Sequence, residues 1–354
     1  MSQNASEETW ILLDSSGIGG IETHVLHLAS ALQLRWGKTR VVFYANHGEH
    51  PLTQQLDDAG IPWEHLSGSI RSLLSALSRR PKLLHTHGYK AGILGRMAAF
   101  FCHTPVVSTF HAGEPGKGMV RLYNLLDGLT ANFGEAIAVS AKIRKRIHGH
   151  AHFVRNFVPV PVHSTNANSN TIVFVGRLSH EKGPDFFCQM AELLPSAKFE
   201  VFGDGPMREE LEKMYGKRVL FHGQVNNMEA HWPNIGMVCM PSRHEGLPYA
   251  ALEAMGHGVS VAAFDVGGLA KLIEHGRSGW IAPQGDVKLL SDHISCWLEM
   301  DTQTRAEMSS AAHRAVKDRF SPDVIIPLVV AIYKKALSDK GCLDTPISQG
   351  GEPC

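Results

Sequence analysis

The chain has 354 residues, of which 44% are hydrophobic and 19% charged, and its 34 Lys and Arg are balanced by 34 Asp and Glu. That length exceeds a single typical core and predicts two domains, and the apolar content excludes a disordered chain. A formal charge of zero gives no electrostatic case for general nucleic-acid binding.

Residues 1–8 carry neither a basic segment nor an apolar one, so no signal peptide is expected. No run approaches the ~18 apolar residues of a membrane span, so any membrane contact is expected to be peripheral. Six cysteines occur without a Cys-x-x-Cys pair, three of them inside apolar runs. Reduced core thiols and a cytoplasmic location follow as expectations.

In chain order, residues 10–13 read as a strand, followed by a Gly-rich turn and a helix over 21–36. Strands are predicted at 40–45, 82–85 and 105–110, with a helix over 91–101, and further strands at 136–140 and 152–155. Residues 158–170, rich in Pro and small polar side chains, read as a linker. A second series follows, with strands at 171–175, 198–202, 219–222, 237–240, 260–264 and 280–282. Helices are predicted over 302–319 and 322–337, the latter with Pro322 in its first turn and Ser321 as cap. The tail after Ser338 is expected to fray. Alternation of β-branched runs with helical patterns predicts parallel sheets covered on both faces. The fold class is therefore α/β: two doubly wound, Rossmann-like domains facing across a cleft. The domains are expected at 1–157 and 171–319, with the linker at 158–170, a helix over 320–338 crossing back to the first domain, and a tail at 339–354.

Three segments carry chemistry. The first turn, Gly17-Ile18-Gly19-Gly20-Ile21-Glu22, lets backbone approach a ligand at a helix N-terminus. A dinucleotide fingerprint would need Gly where Glu22 stands, so that reading fails, and a plain strand-to-helix turn stays open. The second domain opens with Gly176-Arg177-Leu178 and Glu181-Lys182-Gly183 at a strand end. There a guanidinium fork and an ammonium point charge suit a diphosphate. Glu245 and Glu253 stand seven residues apart, the first in a Gly-marked loop and the second two turns into the next helix. Carboxylates accept well from vicinal hydroxyls, and the amides around Leu247 and Tyr249 can face an anion. Glu253 is flanked by apolar residues, where a lone carboxylate needs a partner.

Histidines number 21. His148, His150 and His152 alternate, as do His85 and His87, and alternate residues share a strand face, so a metal site is conceivable. No carboxylate or cysteine accompanies the spacing, and exposed or core imidazoles are the plainer reading. In residues 141–147 the cations Lys142, Arg144, Lys145 and Arg146 stand beside Ile143 and Ile147. This pattern suits either an anionic lipid surface or a solvated helix face. Arg79, Arg80 and Lys82 form a second small basic cluster.

Together these residues resemble the family-4 glycosyltransferases, retaining enzymes of the GT-B fold, from Gly17 to about Leu337. The Glu245–Glu253 motif is the most specific piece. Arg177 with Lys182, the Gly19-Gly20-Ile21-Glu22-Thr23-His24 segment, His85 to Gly88 and Ser108 to His111 are similar to family segments. The resemblance implies a hexosyltransferase with catalytic residues Arg177, Lys182, Glu245 and His111. It implies a donor site of Gly19, Gly20, Gly176, Gly203, Val225, Gly246, Leu247 and Glu253, with Glu253 on the ribose. Glu22, His24, His87 and Lys90 fall on the acceptor side. The strand end at His222 to Val225 would border the nucleobase. No Asp-x-Asp metal motif stands in a suitable loop, so no cofactor or metal is expected, and Arg177 and Lys182 take the place of a divalent ion. The implied substrates are a nucleotide sugar, UDP before GDP, and a glycan or lipid-linked acceptor of an envelope polysaccharide. The partners implied exclude nucleic acid and allow peripheral contact with an anionic membrane. The chain departs from the family pattern at Ala270 and Lys271, where Pro-Glu is usual. A GT-B phosphorylase or nucleotide-sugar epimerase is the alternative, and a non-catalytic sugar-nucleotide-binding protein the second.

Overall fold

The computed structural model describes residues 7–111, 119–147, 149–162, 169–225 and 227–341. The chain divides into two compact units, one from the N-terminus to Arg155 that resumes at Ile325, the other Asn156–Val324.

Unit 1 contains β1 (Thr9–Leu13), α1 (Gly20–Arg35), β2 (Thr39–Phe43), α2 (Pro51–Asp58), β3 (Trp63–His65), α3 (Ile70–Leu77) and β4 (Leu83–His87). It continues with α4 (Tyr89–Phe101), β5 (Val106–Phe110), α5 (Met119–Thr130), β6 (Glu135–Ala138), α6 (Ala141–Arg144) and β7 (Ala151–Phe153). Unit 2 contains β8 (Thr171–Val175), α7 (Pro184–Leu193), β9 (Lys198–Phe202), α8 (Arg208–Tyr215), β10 (Val219–Gly223) and β11 (Met237–Met240). Then come α9 (Tyr249–Gly256), β12 (Ser260–Phe264), α10 (Leu269–Leu272), β13 (Gly279–Ala282), α11 (Val287–Glu299) and α12 (Thr302–Phe320). The last helix, α13 (Pro322–Gly341), begins in unit 2 and from Ile325 belongs to unit 1.

Both sheets are parallel, in the orders β3-β2-β1-β4-β5-β6-β7 and β10-β9-β8-β11-β12-β13. Strands β1, β4, β5 and β12 are buried along their whole length, as a sheet covered on both faces requires. The order reverses between β1 and β4 in unit 1 and between β8 and β11 in unit 2. Helices leave opposite faces there, so a crevice opens at the carboxyl ends of those strands. The register brings Leu13 beside His87 and His87 beside Thr109, aligning three strand ends.

Three expectations are corrected. The unit boundary falls at Arg155 rather than at residue 157, because Phe157 and Val158 are fully buried and the Val158 amide donates to the Phe320 carbonyl. The expected linker is thus packed at its start, and its residues 163–168 lie outside the described set. Helix α13 runs to Gly341, past the expected fraying point, while residues 342–354 lie outside the described set. Strand β3 was not anticipated, since its three residues are all half-buried and too few to show a period.

Candidate functional site

In unit 2 the strand β8 ends at Val175, Gly176 follows it, and Arg177 is exposed beyond. Gly203, at the end of neighbouring β9, has φ 146°, and a Cβ there would stand 1.9 Å from the Gly176 carbonyl oxygen. The two loops therefore touch backbone to backbone, which only glycine permits. The Leu178 amide donates to the Asp204 carbonyl and locks this contact. A short 3₁₀ turn, His180–Lys182, follows. It closes on Gly183, whose φ of 69° starts α7 with Pro184.

The segment after β11 is tied to that turn. The Arg243 and His244 amides donate to the Glu181 carbonyl. The Arg243 guanidinium donates to the His180 carbonyl, makes a two-point bond to Asp185 at 2.8 and 2.5 Å, and lies 3.9 Å over the Phe186 ring. These contacts bring together residues 63 positions apart: Lys182 Nζ donates to Glu245 Oε1 and Oε2 at 2.8 and 2.9 Å. The Glu245 side chain is only 4% exposed and Lys182 31%, so the pair opens to solvent from the lysine side. The buried Ser242 hydroxyl adds a bond to Glu245 Oε1 at 2.9 Å. Glu245 thus carries an ammonium on both of its oxygens and a hydroxyl on one of them. Arg177 makes no ion pair among the described residues and keeps its charge available.

Gly246 is held from the other side, its carbonyl accepting from the Gly268 amide at 2.6 Å. Helix α9 follows with Pro248 as its N-cap and no side chain capping it, so its first amides are open. Pro248 thus stands just before the helix. Glu253, one face along, is partly buried, and no cation pairs with it among the described residues. Burial, then the charge of Glu229, pushes its carboxyl up to about 7. The departure from the family pattern is mild: Ala270 and Lys271 still form a helical turn, and the Lys271 carbonyl accepts from Arg319. At the β10 end, the His222 ring stacks on Phe202 at 4.3 Å and is held by Glu200. Val225, two residues past β10, is half-buried.

In unit 1 the corresponding edge is built differently. Gly19 is the extended N-cap of α1, no side chain caps that helix, and Gly20 opens it. Glu22 is buried in the first turn with a carboxylate oxygen close to Gly19. His24, His87 and His111 gather with ring centroids 4.8–5.3 Å apart. His87 Nδ1 lies 3.0 Å from His111 Nε2. Beneath them His85, 4.3 Å from His87, is bonded at 2.7 Å through one ring nitrogen to the Tyr333 hydroxyl and through the other to the Thr109 hydroxyl. Burial is the main cause holding all four rings below the usual imidazole range, His85 to about 3 and His111 to about 4. They are neutral at physiological pH. Lys90, in the first turn of α4, pairs with Asp14 at 2.7 Å, and His47 bonds the other Asp14 oxygen at 2.9 Å.

Sequence reading missed Asp14, His47, Ser242, Arg243 and Tyr333. Asp14 and Arg243 do follow strands whose carboxyl ends meet at the switch points, which is the signal that could have found them. The alternating His150 and His152 only pack against each other, 4.8 Å apart, with His152 bonded to Glu135. His148 lies outside the described residues. Around α6, Ile143 and Ile147 are buried in the unit 1 core, while Lys142, Arg144, Lys145 and Arg146 are exposed. Cys188 and Cys239 are buried, Cys102 is half-buried and Cys296 exposed, all as free thiols.

Residues 18–161 match a family model described as Glycosyltransferase Family 4, and residues 169–300 one described as Glycosyl transferases group 1. Together the two segments cover more than half of the chain. An uncharacterized glycosyltransferase of Methanocaldococcus jannaschii is 25% identical over 73% of this chain and 76% of its own length. The 2-deoxystreptamine glucosyltransferase of Streptomyces kanamyceticus is 33% identical over 47% of this chain and 46% of its own. Against relatives of that second kind, the chain spans about half their length or less. The crystal structure of Anabaena HepE with UDP and glucose superposes with a TM-score of 0.79 at 21% identity, covering 92% of this chain and 99% of that one. Among the described residues no helix is long and apolar enough to cross a membrane.

Proposed function

From the premise that the chain belongs to the family-4 glycosyltransferases of the GT-B fold, we propose that it transfers a hexosyl group from a nucleotide sugar to a hydroxyl acceptor with retention of anomeric configuration. The observation that carries this reading is the cationic corner of unit 2, Arg177 with Lys182 held on Glu245. A glycosyl–phosphate bond breaks with negative charge growing on the diphosphate. A guanidinium, an ammonium and the uncapped start of α9 meet that charge, each donor contributing roughly 3 kcal/mol when well placed. No divalent ion is required for that task.

In this reading Glu245 holds hydroxyls of the transferred sugar and Glu253 those of the ribose. Gly176, Gly203, Gly246 and Leu247 bring backbone to the donor, and Val225 borders the base. Lys182 exchanges part of its bond to Glu245 for a phosphate oxygen when the donor enters. Gly19 and Gly20 admit donor and acceptor atoms to unit 1. His111 meets the sugar, and Glu22, His24, His87 and Lys90 orient the acceptor. Retention is assigned to front-face attack, the leaving phosphate taking the acceptor proton. A UDP-sugar is favoured over a GDP-sugar, a choice supported by the fold shared with the UDP-bound HepE.

A glycan or lipid-linked acceptor of an envelope polysaccharide is proposed. Peripheral contact with anionic lipid would use the exposed Lys142, Arg144 and Lys145, Ile143 and Ile147 being buried. Protein that ignores anionic vesicles at low salt would remove the lipid contact. The donor is tested by thermal shift against UDP-, GDP- and ADP-sugars. A ligand at a hundred times its dissociation constant adds ~2.7 kcal/mol. Stabilisation by one base series names the donor, and none by any would refute a nucleotide sugar. Donor epimerisation or phosphorolysis without acceptor would favour the alternative reading instead.

A further inference from the structure

We propose that His24, His87 and His111 bind a divalent transition cation of borderline softness, represented by Zn²⁺, and that the bound ion inhibits transfer. The three rings come from three elements: the first turns of α1, the last residue of β4 and the residue after β5. One ring nitrogen from each lies within 4.8 Å of the others. Nitrogens around a tetrahedral zinc ion, each at ~2.1 Å, stand ~3.4 Å apart. The cluster therefore needs only a small contraction, and the His87–His111 pair is already at 3.0 Å.

Three imidazoles with a fourth position open are the ligand set of an open zinc centre. The set holds no carboxylate or carbonyl, which rules against Mg²⁺ and Ca²⁺, and no thiolate; imidazole suits Zn²⁺, Cu²⁺ and Ni²⁺. A neutral imidazole offers one lone pair, so a cation that takes one from each ring replaces the His87–His111 hydrogen bond. His87 Nε2 is buried without a hydrogen-bond partner, so the hydrogen bonding of this ring is incomplete as it stands. The support beneath is firm: His85 packs on His87 and is itself fixed by Thr109 and Tyr333.

The inhibitory consequence rests on the glycosyl-transfer reading, whereas binding does not. Lone pairs given to a cation are lost to sugar and acceptor hydroxyls, so the ion competes with substrate instead of serving catalysis.

The test uses untagged, chelator-treated full-length protein at neutral pH. Zinc is titrated by calorimetry, and cobalt by the visible absorption of a four-coordinate ion. One equivalent should bind, and His87→Ala and His24→Ala should each weaken binding by at least about tenfold, the least that losing even a supporting group brings. A His275→Ala/His293→Ala variant, removing the imidazole pair of unit 2, should bind as wild type. Thermal midpoints in chelator show which variants fold, and either single variant suffices to decide. No stoichiometric binding, or undiminished binding in a folded His87 or His24 variant, would overturn the site. One-equivalent binding that leaves transfer unchanged would overturn inhibition alone. Zinc binding in a protein that transfers no sugar would leave the site standing and count against the proposed function.

Discussion

The two units share a parallel sheet and a switch point yet furnish their carboxyl edges with opposite electrostatics. Unit 2 places charge there and leaves it half open: Arg177 exposed, and Lys182 reaching solvent from its pair with Glu245. Unit 1 places four imbricated imidazoles there and keeps them buried and neutral, while the nearby Lys90 is tied to Asp14. The contrast follows from what each edge is proposed to meet. A departing diphosphate is stabilised by fixed cations. Neutral imidazoles can orient acceptor hydroxyls by both accepting and donating, and a charged imidazole in that apolar setting would be costly.

The strongest way to break this comparison is to remove the charge. Lys182→Ala and Arg177→Ala should each lower kcat by about 100-fold or more, the cost of ~3 kcal/mol of lost transition-state stabilisation. Circular dichroism should show an unchanged fold. Lys182→Ala also strands the buried Glu245 carboxylate, so a Lys182→Ala/Glu245→Gln variant should recover thermal stability without recovering turnover. Near-wild-type rates in both single variants would show that unit 2 does not use its cations.

The charged edge was more legible in the sequence than the neutral one. Arg177, Lys182, Glu245 and Glu253 stand in short motifs whose residue types announce a phosphate and hydroxyls. Their pairing was not legible: Lys182 meets Glu245 only because β8 and β11 are neighbours at the switch point, which no local pattern encodes. The imidazole cluster was visible only as separate family segments. Its support by Tyr333 was invisible, because that residue lies on a helix read at the far end of the chain. The sheets themselves were readable from β-branched runs, save β3, whose partial burial blurs the pattern.

Acidity should separate the units next. Glu253 is an acid raised from 4.5 to about 7, so the stability it contributes is full below 4.5 and is lost as pH rises through 7. His85, lowered from 6.5 to about 3, has the opposite sign: its contribution is full above 6.5 and is lost as pH falls through 3. Hydrogen exchange on the full chain, corrected for intrinsic rates, should therefore show the β4–β5 region losing protection on acidification and the α9 region losing it on the basic side. On the role proposed for Glu253, donor binding uses the ionised carboxylate and should weaken by up to about tenfold per unit below pH 7. Glu253→Gln should flatten that profile, and a persistent slope would move the titration to another group.

The smallest expected effect probes the support of the neutral edge. Tyr333→Phe keeps the ring that packs on Trp36 at 5.6 Å and removes only the hydroxyl bonded to His85. His85 then has one buried nitrogen without a partner, at a cost of about 1–2 kcal/mol. For a unit of this size the thermal midpoint should fall by roughly 2–8 °C. The loosened His85 ring lies against His87, so acceptor KM should rise modestly while kcat and donor affinity hold. A Tyr333→Phe enzyme whose donor affinity falls instead would couple α13 to the charged edge, and the division of labour between the two edges would have to be redrawn. Unchanged stability would mean that Thr109 alone is enough to fix His85.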